Sequence, residues 1–99
     1  MLKTEKISLN SRFVQIEGNV VSDMDGEKVM LNIAKGKYYN LGEVGGAIWD
    51  IISKPTEVNE IVSTLLTQYE VENKSCESEV VAFLNTLINE GLIRIINED

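Results

Sequence analysis

The chain has 99 residues, 43% of them hydrophobic, and its nine basic and 16 acidic side chains give a formal net charge of −7. This length suits one compact domain, and the acidic excess argues against binding to nucleic acid or anionic lipid, which requires clustered Lys and Arg. Histidine is absent and Cys76 is the single cysteine, which excludes an internal disulfide, a structural zinc site and a histidine general base. We also find no apolar run of membrane-spanning length and no signal-peptide pattern, so we expect a cytoplasmic protein without metal or cofactor.

The first half of the chain is predicted to form three short antiparallel strands, over roughly 20–24, 28–34 and 37–41. Asp25-Gly26 separates the first two and fits a type I′ turn, because both central residues of that turn need positive φ. Alternation of apolar residues with period 2 in the second strand indicates one buried face and one open face.

The second half is predicted to form three helices, because apolar residues recur there at helical spacing. Pro55 ends the first helix, and Thr56 and Ser75 are the predicted N-caps of the second and third. Gly91 is predicted to end the third helix in a left-handed conformation. The segment 92–96 fits either a short final strand or an extended tail.

Three local features have both a structural and a functional interpretation. Gly45-Gly46, near the start of the first helix, indicates close packing against the sheet, since a phosphate loop needs a longer glycine pattern. Cys76 has the spacing of the apolar face of its helix and is interpreted as a small buried residue, not a nucleophile. Tyr38-Tyr39 is interpreted as a surface residue beside a core residue, not a platform for stacking bases.

A small sheet followed by three helices is typical of an α+β winged helix-turn-helix, a fold that often binds DNA. The third helix, predicted over 75–90, has no Lys or Arg and carries Glu77, Glu79 and Glu90. These charges would repel phosphates, so a DNA-binding regulator is only a remote alternative. No nucleophile has a histidine partner, so we expect no enzymatic activity.

These exclusions favour recognition of another polypeptide. The strand over 37–41 precedes a helix and could be the exposed edge of the sheet, to which an extended peptide adds as a further strand. The third helix would then form the other wall of a groove. The alternative, that the edge is covered, stays open at this stage, and an exposed edge also allows a homodimer through strand pairing or domain swapping.

The segment DGEKVMLNIAKGKYYNLGEVGGAIW resembles the small protein D family of pyrroloquinoline quinone biosynthesis, with its D-G hairpin, G-x-Y-Y-x-L and V-G-x-x-I-W motifs. The segments TEVNEIVSTLLTQYEV and VVAFLNTLINEGLI resemble the second and third helices of that family. The resemblance extends from about Val20 to Ile93. It implies a non-catalytic RiPP precursor peptide recognition element. We therefore expect a single peptide-recognition domain over residues 1–99, with an ordered core over about 13–96.

Members of this family capture the leader of a ribosomally made precursor peptide and deliver it to a modifying enzyme. The resemblance implies that the leader adds to the third strand and lies against the third helix. The implied leader-binding residues are Lys37, Tyr38, Tyr39, Asn40 and Leu41 on the strand, and Val80, Phe83, Leu84 and Leu87 on the helix. An acidic third helix opposite the leader would favour a basic leader.

Two branches of the family fit a free-standing chain of this size. In lasso peptide biosynthesis the partner is a separate cysteine protease that removes the leader. In quinone cofactor biosynthesis the partner is a radical iron–sulfur enzyme. The phrase TEVNEIV, together with the Y-Y-x-L and V-G-x-x-I-W motifs, favours the lasso branch.

Overall fold

Six strands and three helices follow one another in the computed structural model, which describes residues 7, 9–70 and 72–96. They are β1 (Arg12–Gln15), β2 (Asn19–Met24), β3 (Glu27–Asn32), β4 (Lys37–Leu41), α1 (Gly42–Ile51), β5 (Thr56–Glu57), α2 (Val58–Gln68), α3 (Asn73–Asn89) and β6 (Ile93–Ile96). The predicted α+β class, with a three-stranded antiparallel sheet and three helices, is confirmed. No helix in the described ranges is long and apolar enough to cross a membrane.

The three predicted strands form an antiparallel sheet in the order β2-β3-β4, here called the meander sheet. Asp25 and Gly26 in the β2–β3 turn have φ values of 55° and 84°, so the prediction of positive φ at both positions is confirmed. The second strand ends at Asn32, two residues earlier than predicted, since the Asn32 side chain accepts a hydrogen bond from the Lys35 N–H at 2.9 Å and closes the next turn.

A second antiparallel sheet, in the order β5-β1-β6, was not predicted as a sheet and is here called the closing sheet. Strand β1 pairs along its whole length with β6, so the segment 92–96 contributes a strand and not a tail. Each strand has four residues or fewer, and β1 and β6 lie at opposite ends of the described chain. Such short segments lack the sustained alternation from which a strand is recognised, and their pairing leaves no local signal.

The start of α2 corrects the predicted N-cap. Glu57, not Thr56, is the N-cap residue, and the Glu60 carboxylate accepts a hydrogen bond from the Glu57 N–H at 3.1 Å. Thr56 lies one residue earlier, in β5, where its hydroxyl is within hydrogen-bonding distance of the carbonyl oxygens of Lys54, at 2.7 Å, and Ile51, at 3.1 Å. This hydroxyl therefore holds the turn after α1 instead of capping α2.

The start of α3 also differs from the prediction. The helix begins at Asn73 after the N-cap residue Glu72, so Ser75 lies inside it and the predicted Ser75 cap is wrong. The earlier start brings Lys74 into the helix. At the other end Gly91 has φ of 76°, and its predicted left-handed conformation is confirmed.

The hydrophobic core lies between the two sheets and the three helices. Its buried side chains come from β1, β3 and every helix, and include Phe13, Met30, Ile48, Ile61, Leu65, Val80 and Leu84. Because the meander sheet packs on α1, while α3 packs mainly on α2 and β6, the core between them determines the geometry of any groove between β4 and α3.

Gly46 of α1 packs against β3 of the sheet, as predicted, whereas Gly45 packs against α3. A Cβ added to Gly46 would lie 2.7 Å from Cβ of Lys28, and one added to Gly45 would lie 2.9 Å from Cζ of Phe83. Beyond that contact, Lys28 Nζ reaches the carboxylates of Asp23 at 3.0 Å and Asp50 at 3.2 Å. These two carboxylates raise the pKa of Lys28, so the meander sheet and α1 are joined by a close contact and an ion pair.

We predict that Gly46→Ala lowers the free energy of unfolding by about 1–3 kcal/mol, the usual cost of overpacking. The sign of this change is informative, because Gly→Ala inside an unobstructed helix raises the free energy of unfolding by about 0.5–1 kcal/mol. The contacting atom is the Cβ of Lys28, which no rotamer change can move away. Urea unfolding would measure the difference, with Ser63→Ala on the exposed side of α2 as the control. A Gly46→Ala protein as stable as the wild type would contradict the close contact.

Candidate functional site

Strand β4 lies at one edge of the meander sheet, as the sequence predicted. In the part of the chain that the structure describes, β4 pairs only with β3, and no strand lies on its other side. An unpaired edge presents a row of backbone N–H and C=O groups that an extended chain can bind. The edge is therefore the first element of the candidate site.

The side chains of β4 alternate between the two faces of the sheet. One face carries Lys37, Tyr39 and Leu41, and this face points toward α3. Lys37 and Tyr39 contact Glu90, the C-cap residue of α3. Leu41 lines the same cavity as residues of α3. Tyr38 and Asn40 are on the opposite face. Tyr38 is 64% exposed, which confirms its interpretation as a surface residue, while Tyr39 is half-buried and packs against the core without belonging to it.

At one end of the space between β4 and α3, three side chains from the β3–β4 hairpin converge on Glu90. The Glu90 carboxylate accepts hydrogen bonds from the Tyr39 hydroxyl at 2.9 Å and from Lys37 Nζ at 3.3 Å. Lys35 Nζ donates to the main-chain oxygen of the same residue. This polar contact ties the start of β4 to the end of α3 at that end of the groove.

The same contact shifts two pKa values in opposite directions. The Tyr39 hydroxyl, followed by the Lys37 ammonium, lowers the pKa of Glu90. Burial, followed by the hydrogen bond to Glu90, raises the pKa of Tyr39. At neutral pH Glu90 is therefore ionised and Tyr39 is a neutral hydrogen-bond donor.

At the other end the groove opens into an apolar cavity of about 220 Å³. Its walls come from β4 and all three helices, and consist of Leu41, Val44, Gly45, Ile48, Leu65, Tyr69, Cys76, Glu79, Val80 and Phe83. Glu79 is the one charged side chain in this lining. The half-buried ring of Phe83 lies against Gly45, so the absence of a side chain at Gly45 gives this ring its position.

Of the nine residues implied by the resemblance, the structure brings Leu41, Val80 and Phe83 to the cavity. Lys37, Tyr38, Tyr39 and Asn40 lie along the edge strand. Leu84 and Leu87, with 0% and 2% exposure, are in the hydrophobic core and do not line the cavity. These two leucines support the wall of the groove from behind.

The cavity residues from α1 and α2 were not predicted as site residues. Val44 and Ile48 on α1, Leu65 on α2 and Tyr69 at the C-cap of α2 belong to the apolar stripes from which the helices are predicted. A stripe shows which helix face is apolar, but not whether a neighbouring element covers it completely. Val44 remains 42% exposed, and this partial cover distinguishes the cavity from the core.

Cys76 is buried beside the cavity, as predicted. Burial raises the pKa of its thiol, and the nearby carboxylates of Glu79 and Glu77 raise it further. The thiolate, which is the reactive form of cysteine, is therefore disfavoured. Cys76 serves here as a small apolar wall residue.

Comparison with known proteins shows which family the chain is similar to. The family model described as coenzyme PQQ synthesis protein D (PqqD) matches residues 27–93, which is more than half of the chain. The chain belongs to the PqqD family. The matched residues run from the start of β3 to the start of β6, and therefore include the edge strand, the three helices and every residue of the cavity lining.

Two solved structures share the fold of this PqqD-family chain. A structure of TbiB1 in complex with the TbiA(beta) leader peptide is 27% identical, with a TM-score of 0.75, and the alignment covers 86% of this chain and 99% of that one. A lasso peptide synthetase B1 complexed with the leader peptide is 22% identical, with a TM-score of 0.72 and coverage of 83% and 96%. No curated protein matches the sequence.

We predict that the contact between β4 and Glu90 loses its stabilising effect in acid. The pKa of Glu90 is lowered in the folded protein, so this contribution is fully present above the ordinary value of 4.5 and is lost as the pH falls through the lower folded-state value. Glu90→Gln should therefore be less stable than the wild type at about pH 6, and the free energies of unfolding of the two proteins should become equal by about pH 2.

Chemical unfolding at several pH values would measure this difference. Tyr39→Phe, which removes the hydroxyl donor to Glu90, should show part of the same pH-dependent loss. A gap between wild type and Glu90→Gln that stays constant from pH 6 to pH 2 would show that the carboxylate is not held by the contact.

Proposed function

We propose that this chain is a non-catalytic binding protein that captures the leader of a ribosomally synthesised precursor peptide and presents it to a modifying enzyme. The observation that carries the proposal is the position of the unpaired β4 edge directly beside the 220 Å³ cavity, with Leu41 belonging to both. Strand addition supplies affinity through backbone hydrogen bonds, and a pocket beside the strand supplies sequence choice.

The cavity suits one bulky apolar side chain of the leader. An apolar cavity of about 150 Å³ lined by Leu, Ile and Phe is large enough to bind benzene. The 220 Å³ cavity is larger and its lining is mainly aliphatic and aromatic. It therefore has room for a branched or ring-bearing side chain that projects from an added strand.

The bound leader would place the rest of the precursor near the modifying enzyme, and the tether would raise the effective concentration of the substrate. The chain itself needs no reactive group for this role, which agrees with the raised pKa of Cys76. The modifying enzyme that we propose is the leader protease of lasso peptide biosynthesis. The likeness to TbiB1, a protein solved with a leader peptide, supports leader capture, and the TEVNEIV phrase with the Y-Y-x-L and V-G-x-x-I-W motifs favours the lasso branch.

A second candidate is a peptide chaperone for a radical iron–sulfur enzyme in quinone cofactor biosynthesis, because the matching family model is that of a coenzyme PQQ synthesis protein. Leader binding at β4 is common to both candidates, and only the enzyme partner differs. Co-purification with the candidate protease or with the radical enzyme would separate them.

We predict that Phe83→Ala weakens binding of the leader by about tenfold or more, equivalent to ~1.4 kcal/mol, because it removes one wall of the anchoring pocket. The probe is a fluorescein-labelled peptide covering the leader of the precursor encoded beside this chain, followed by fluorescence anisotropy. Val81→Ala, on the other side of α3, is the matched control and should bind as tightly as the wild type.

Thermal unfolding of both variants would separate loss of binding from loss of fold. Equal affinities of the wild type and a folded Phe83→Ala variant would contradict the use of this cavity. A scrambled leader that binds as well as the true one would contradict sequence-specific recognition altogether.

We predict that methylation of individual leader amides weakens binding at alternate positions. Every second N–H of an added antiparallel or parallel strand points toward its neighbour, and the intervening N–H groups point away. N-methylation scanning of the same peptide, read by anisotropy, should give a period of two residues. Uniform losses, or losses at every third or fourth residue, would exclude strand addition to β4.

A further inference from the structure

The two ends of the groove between β4 and α3 carry opposite charge. Glu79 lies at the cavity, and Glu43 follows directly after the β4–α1 junction. Lys35 and Lys37 lie at the other end, where the single carboxylate of Glu90 opposes two ammonium groups. One end is therefore acidic, and the other retains an excess of one positive charge.

Other charged groups near each end leave this order unchanged. Glu72 is the N-cap residue of α3, and its negative charge adds to the acidic end. Lys74 is the one base on α3, and it lies two residues from Cys76 and so on another side of the helix. At the basic end, Lys35 also donates to the last turn of α3, which offsets the negative end of the helix dipole.

The separation of the two ends is large enough for each to be recognised independently. The four residue steps of strand from Lys37 to Leu41 span about 13 Å, and the eleven steps from Glu79 to the C-cap residue Glu90 span about 16 Å at helical rise. Both lengths exceed the Debye length of about 8 Å at physiological ionic strength. A charge on a bound peptide at one end is thus affected mainly by the groups at that end.

We propose that this charge order sets the direction in which a peptide lies in the groove. The preferred ligand has a Lys or Arg beside the apolar side chain that enters the cavity, and an Asp or Glu about four residues away, next to Lys35 and Lys37. Backbone pairing at an edge is compatible with both directions of the added strand, so the charges select between them. This inference rests on the proposed function, since it assumes that the peptide adds to β4.

The test starts from selection of random twelve-residue peptides on the immobilised chain, which requires no knowledge of the natural leader. A selected peptide is synthesised twice, once as found and once with its basic and acidic residues exchanged between the two ends. The two peptides have the same composition and net charge, so the overall charge of the protein cannot distinguish them. We expect roughly tenfold weaker binding of the exchanged peptide at low salt, and a smaller difference at 1 M salt.

Paired variants locate the effect in the groove. The double variant Glu79→Gln with Lys37→Gln should lose most of the preference, because it removes one charge from each end while Glu43, Glu72 and Lys35 remain. The control, Glu77→Gln with Lys54→Gln, makes the same change in net charge away from the groove, since Glu77 faces Leu9 and Val81 on another side of α3. The control should keep the full preference. Melting temperatures would show that all the proteins are folded.

Three outcomes would overturn the inference, and they are distinguishable. Equal binding of the two peptides to the wild type, or an undiminished preference in the Glu79→Gln, Lys37→Gln variant, would contradict the charge order while leaving strand addition intact. Failure to select any peptide that depends on Phe83 would contradict the proposed function, and the charge order with it.

Discussion

The close approach of α1 to its two neighbours is the constraint on which the groove depends. Gly46 allows the helix to contact the Cβ of Lys28 on β3, and Gly45 allows the ring of Phe83 on α3 to lie over the same helix. A side chain at Gly46 would push β3 away, and one at Gly45 would displace the ring of Phe83. Gly46 thus sets how closely α1 approaches the meander sheet, and Gly45 leaves room for the Phe83 ring beside α1, so both missing Cβ atoms shape the space between β4 and α3.

The groove is therefore held at three points, each by a different kind of interaction. Close packing on Gly45 and Gly46 holds the apolar end. Lys28, paired with carboxylates of β2 and α1, holds the sheet to the helix from the side. The Glu90 contact holds the polar end and is exposed to solvent, so it is the point most affected by pH and salt. Packing sets the shape of the site, while the charges of the Glu90 contact determine the pH and salt range in which β4 and α3 stay joined at the polar end.

Local patterns predicted the elements that build the site, but not the contacts between them. The turn at Asp25-Gly26 and the alternation in β3 specify the meander sheet, because both depend on neighbouring residues only. The closing sheet joins the two ends of the described chain through strands of four residues or fewer, and no local pattern encodes such pairing. The same limit explains why Leu87 and Phe83, on one apolar stripe, could not be assigned to the core and the cavity from spacing alone.

The exposed edge of β4 is not selective by itself, and this explains why the other features of the site are needed. Backbone hydrogen bonds along an edge are available to any extended chain, a second copy of the protein included, so the edge alone gives no selectivity. The cavity restricts the choice to chains with a bulky apolar residue at one position. Charge at the two ends then distinguishes the two directions in which such a chain can pair. Under the proposed function, each added constraint acts at a different position along the strand, and a chain of 99 residues can thereby recognise a short flexible peptide without enclosing it.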